Sequence, residues 1–154
     1  MAIPLIEQVK IQAQVLVPLV RALQSELGEE RANALVRKAI GPIYRRYGEA
    51  WWEQAAGDFG QVLSTSFRRF ASGEALDYRV VEQTPETFAV DVTGCRYAKF
   101  YQELGEPELG FLLTCGADFS LADGFAGVEL KRTRTIMQGA DHCDFRFKLK
   151  TTQP

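Results

Sequence analysis

Between Pro4 and Glu74, apolar residues recur at helical spacings: Leu5, Ile6, Val9, Leu16, Leu19, Val20, Leu23 and Leu27 stand three, four or seven apart. The pattern predicts helices, with Gly28 as the stop between a first and a second. Pro18 lies inside the first run and Gly41-Pro42 inside the second. Proline lacks an amide donor and its ring crowds the preceding turn, so each is expected to kink or divide its helix.

After Asp77 the period shortens to two. YRVVEQ (78–83) and TFAVDV (87–92), joined by Thr84-Pro85-Glu86, read as a β-hairpin with Pro85 at the second turn position. A short helix is predicted from Arg96 to Leu104, ended by Gly105, and a longer one from Pro107 to about Asp123, ended by Gly124. VELKRTRTIM (128–137) and HCDFRFKLK (142–150) then alternate as strands around the Gln138–Asp141 turn. Two hairpins without a long crossover predict a four-stranded antiparallel sheet with the helices on one face, an α+β fold. Residues 1–154 are expected to form a single domain, with 1–76 its helical part and 77–150 its α+β part.

Composition narrows the class. With 154 residues, 46% of them hydrophobic, the chain can build a core without disulfide or metal staples. Eighteen basic residues against twenty acidic ones argue against a nucleic-acid partner. Three distant cysteines, an odd number, point to a reducing compartment, and the cytoplasm is the expected location. Glu7, Gln8, Lys10, Gln12 and Gln14 break up the apolar N-terminal run, so it reads as an amphipathic helix rather than a membrane span or secretory leader. Tyr44, Tyr47, Trp51 and Trp52 offer aromatic surface either to the sheet or to a second subunit, and a homodimer is a further expectation.

Candidate chemistry gathers in the second half. Glu108, Cys115 and Asp118 stand seven and three apart, near one helical stripe, where desolvation would raise a carboxyl pKa for acid–base work and Cys115 is a candidate nucleophile. Against this, a buried free thiol is ordinarily a small hydrophobe, and Glu108 can simply complement a helix dipole. Arg132 and Arg134 share strand parity with Val128, Leu130 and Ile136. Both arginines are therefore expected to face inward, either as a carboxylate clamp or in salt bridges to Asp91 or Asp144. His142 and Cys143 are adjacent and so should point to opposite faces of a strand. That leaves His142 able to serve Cys95 or Cys115, or else to sit in the turn while Cys143 packs beside Phe145 and Phe147. No metal or cofactor is expected, because the cysteines and His142 lack a local C-x-x-C pair. Only convergence of Cys95, Cys115 and Cys143 at one end of the sheet would open a metal or redox-sensor reading.

Three segments carry a resemblance: Cys95-Arg96-Tyr97 with Tyr101, GEPELGFLLTCGADF (105–119), and RTRTIMQGADHCDFRF (132–147). Together they resemble the L-2-amino-thiazoline-4-carboxylic acid hydrolase family, closely from Cys95 onward and in general character before it. The order of elements is also similar to the vinyl-reductase-like small-molecule-binding domains. The first resemblance implies hydrolytic ring opening of a small cyclic carboxylate to an N-carbamoyl-cysteine. A substrate of that kind agrees with the residues read above: Arg132 and Arg134 are candidates to hold its carboxylate, Asp118 or His142 to activate water, and Cys115 or Cys143 to assist or attack. Glu108, Tyr97, Tyr101 and Cys95 would be the other substrate contacts. The competing reading is a noncatalytic small-acid-binding or regulatory module with the same cavity and no base within reach.

Overall fold

A computed structural model describes residues 2–150. Helix α1 spans Leu5–Leu27 and α2 spans Glu29–Gln54, with Gly28 between them at φ 85°. That positive φ suits glycine and stops the helix as expected. Pro18 and Pro42, however, divide neither helix. Buried Ile6 and Ala13 precede Pro18 and Val20 follows it on the same face, so packing keeps α1 continuous despite the missing donor. Helix α3, Phe59–Ala71, is set off by Ala56 and Gly57 at positive φ and capped by Asp58, whose carboxylate accepts the Gln61 amide at 2.8 Å.

Strands β1 (Leu76–Gln83), β2 (Thr87–Cys95), β3 (Val128–Lys131) and β4 (Cys143–Leu149) form one antiparallel sheet in the order β1-β2-β4-β3. The fold is α+β, as the alternating patterns imply. Phe88, Val90 and Val92 of β2 pair with Phe147, Phe145 and Cys143 of β4. This face packs on Phe59, Leu63 and Phe67 of α3 and on Leu121 and Ala122 of helix α6 (Ala117–Asp123). Trp51 and Trp52 pack on the same core, against Phe70 and Phe125. The opposite sheet face is polar, with Arg146 bound to Asp91 at 2.9 Å.

Between β2 and α6 come α4 (Arg96–Glu103) and α5 (Pro107–Gly110). The single helix expected from Pro107 to Asp123 is interrupted. Phe111–Cys115 form a π turn in which the Gly116 amide donates to the Phe111 carbonyl at 2.7 Å. β3 is also shorter than its alternation suggests and ends at Lys131. Asp144 captures the next segment, accepting the Thr133 and Arg134 amides at 2.8 and 2.7 Å and the Thr133 hydroxyl at 2.5 Å. Those donors are thereby withdrawn from strand pairing. Among the described residues, no helix is long and apolar enough to cross a membrane.

Candidate active site

A chamber of about 80 Å³ lies between the sheet and the α3, π-turn and α6 segments. Most of its wall is apolar, including Leu63, Phe67, Phe125 and Phe147. The exceptions are Tyr97, Thr114, Cys115, Asp118, Arg132, Thr135, Cys95, Cys143 and Ser66. One water needs roughly 10–15 Å³ of such space, so the chamber suits a small ring rather than an extended molecule.

Arg132 and Asp118 dominate its electrostatics. The Arg132 Nη1 donates to Asp118 Oδ2 at 2.7 Å, with the arginine side chain 2% exposed and the aspartate 21%. The guanidinium carbon stands 4.9 Å from the Phe119 ring centre, 5.4 Å from Phe145 and 5.9 Å from Phe111. Aromatic faces thus replace part of its lost hydration. Among the described residues, Nη1 to Asp118 is its one hydrogen bond, which leaves Nε and Nη2 as donors for a ligand. Burial pushes the Asp118 carboxyl up to about 6, and Arg132 opposes that rise. A carboxyl near neutrality in an apolar chamber is suited to proton transfer at neutral pH.

The three thiols converge on this chamber but are protonated. Burial raises Cys95 to about 11, Cys115 well above its ordinary value, and Cys143 upward as well. Cys95 Sγ accepts the Ala98 amide at 3.4 Å as the cap of α4, and Cys143 Sγ accepts the Ile136 amide at 3.2 Å. Both sulfurs therefore have packing and capping duties. Among the described residues, no three His, Cys, Asp or Glu side chains are grouped to hold a metal. Tyr97 also lines the chamber, its hydroxyl tied to the Phe70 carbonyl at 2.8 Å.

Several residues singled out from sequence lie elsewhere. Glu108 is exposed beside Arg37 and Gln102 in a separate groove. The i→i+5 turn spends an extra residue, so the stripe that joined Glu108 to Cys115 and Asp118 is broken. Arg134 is exposed, because the Asp144 turn has replaced the strand whose parity would have turned it inward. His142 stands outside the chamber with Nδ1 2.5 Å from Asp141 Oδ1, while Cys143 is buried on the opposite side. Tyr101 is buried in a neighbouring cluster with Tyr97 and Met137. The sequence pattern did not single out Thr114, Thr135 or Phe119, nor place Phe111 and Phe145 around Arg132. The glycines flanking the π turn, Gly110 and Gly116, were the available signal for Thr114.

The family described as L-2-amino-thiazoline-4-carboxylic acid hydrolase matches residues 8–147. That span takes in the helical half as well as the three segments that carry the resemblance. No curated protein matches the chain. With nearly its whole length covered by the match, from α1 through β4, the chain belongs to the L-2-amino-thiazoline-4-carboxylic acid hydrolase family.

Proposed function

We propose that this protein hydrolyses a small cyclic amidine-like carboxylate in the Asp118–Arg132 chamber, with 2-amino-thiazoline-4-carboxylate, the compound in the family's description, as the first candidate. The observation that carries the reading is the ion pair itself, set in an otherwise apolar wall. A cyclic amidine acid is a zwitterion whose two poles complement that pair. Its carboxylate meets the unfilled Nε and Nη2 donors of Arg132, and its amidinium meets Asp118.

With the substrate so held, Asp118 takes a proton from water as the water oxygen bonds to the amidine carbon between sulfur and nitrogen. Collapse of the adduct breaks the carbon–sulfur bond. Asp118 passes the proton it took to the departing thiolate, which ends as a thiol, and returns to its carboxylate form; the adduct's hydroxyl loses its proton to solvent as the oxygen becomes the carbonyl of a carbamoyl group. Apolar walls favour these charge movements by excluding competing solvent. In this reading Cys115 and Cys143, whose thiols burial pushes up, take no covalent step.

A second reading, a small-acid-binding module, draws on the same contact: an incoming carboxylate that displaced Asp118 from Arg132 would be held with no base facing it. Turnover and calorimetric binding of 2-amino-thiazoline-4-carboxylate, measured together on wild type and Asp118→Asn, separate the two. Turnover lost in Asp118→Asn with binding retained supports hydrolysis. Wild-type binding without turnover, for this and related cyclic amidine acids, supports the binding module.

A further inference from the structure

We propose that ligands reach the chamber from the groove between α1 and α2, passing Thr114, with the rings of Tyr44 and Tyr101 as the fixed posts of the passage. This deepens the reading above, since it concerns the same chamber, but its test reads thiol access rather than turnover, so the two can fail separately.

Thr114 lines both spaces. On one side is the chamber with Cys115 and Asp118; on the other is an open groove of about 490 Å³ whose walls include Ile11, Val15, Ile43, Tyr44 and Tyr101. Thr114 belongs to the π turn, and both it and Cys115 are partly exposed. Two other chamber residues, Ser66 and Phe147, also face depressions on the outer surface. Both are buried in closed walls. Ser66 is bonded to the Val62 carbonyl of α3 at 2.6 Å, and Phe147 is paired with β2 and β3. Passage at either would break regular hydrogen bonding, whereas Thr114 is a partly exposed side chain that lines both spaces.

The posts are held by close packing at nearby glycines. A Cβ on Gly41 would stand 3.3 Å from Ser120 Oγ, and one on Gly48 would stand 2.0 Å from the Leu121 carbonyl oxygen, so α2 is pressed onto α6 on both sides of Tyr44. Tyr44 lines the groove beside Thr114, and burial, with Asp118 adding to it, pushes its hydroxyl up to about 12. Tyr101 sits against Gly110, where an added Cβ would lie 2.6 Å from its ring. Among the described residues, no charged side chain lines the groove.

The test is the rate at which methyl methanethiosulfonate, a small uncharged thiol reagent, modifies Cys115 of the folded protein, read by peptide mass spectrometry. Thr114→Phe plugs the passage. Ile43→Trp fills the groove from a position 39% exposed, so it keeps the test open if Thr114→Phe does not fold. Thr65→Trp fills the depression outside Ser66 instead. Each groove variant is expected to slow Cys115 modification about tenfold or more, and Thr65→Trp to leave it at the wild-type rate. Wild-type rates in a folded groove variant, or slowing by Thr65→Trp instead, would overturn the proposal.

Discussion

Arg132 and Asp118 meet at 2.7 Å between β3 and α6, one from the residue just past a strand and the other from the first turn of a helix. Neither group would be stable in that chamber alone, because an ion in an apolar wall needs either a counter-ion or neutralisation. Asp118 keeps part of both solutions: its carboxyl remains paired and yet titrates at about 6.

The pH dependence of turnover follows from that value. With the Asp118 carboxylate as the proposed base, turnover should climb as pH rises through about 6 and then level. Arg132→Met removes the opposing cation and should move this acid limb to higher pH. Asp118→Asn should abolish the limb and lower turnover roughly 10²–10⁴-fold. A pH–rate series on the three proteins checks all three outcomes.

The same group links stability to pH. Its folded pKa lies above the ordinary value of 3.8, so the folded state binds the extra proton in that window. The contribution is full below 3.8 and is lost as pH rises through about 6. Asp118→Asn should flatten this fall across the window, as read by urea unfolding at successive pH values, although it leaves Arg132 without its partner.

The thiols give an opposite expectation. Because burial keeps Cys115 and Cys143 protonated, Cys115→Ala and Cys143→Ala should each retain turnover to within about threefold. Mass spectrometry of wild type quenched during turnover should show no substrate-derived adduct. A covalent adduct on either cysteine would replace Asp118-activated water with thiolate attack.

His142 and Arg134 lie outside the chamber. His142→Gln and Arg134→Gln should therefore leave kcat/KM within about twofold of wild type. Arg132→Lys, by contrast, keeps the charge but loses the two-donor fork, so KM should rise more than kcat falls.

Gly48 should be among the least replaceable positions. A Cβ there would approach the Leu121 carbonyl oxygen to 2.0 Å, a backbone atom that cannot swing aside. Gly48→Ala should cost about 3 kcal/mol, at the upper end of overpacking penalties, in denaturant unfolding.

Much of the fold was legible because its cues are local. The period change near Asp77, the Thr84–Glu86 turn and the stops at Gly28 and Gly105 each act within a few residues of chain. Pro18 does not divide α1 because a missing donor is a local cost, while the aligned burial of Ile6, Ala13 and Val20 that outweighs it is a tertiary gain. Arg134 misled for the complementary reason. Parity places a side chain only while the strand continues, and Asp144, ten residues further on, ends it.

Alternation and helical spacing by themselves determined an α+β chain with an antiparallel sheet, and placed Cys115, Asp118, Arg132 and Cys143 among its chemically capable residues. Tertiary structure decided which of these share a chamber and in what state. Charge and protonation depend on desolvation and on partners distant in sequence: Asp118 titrates near neutrality, and Arg132 rests among Phe111, Phe119 and Phe145, because a folded wall removed their water.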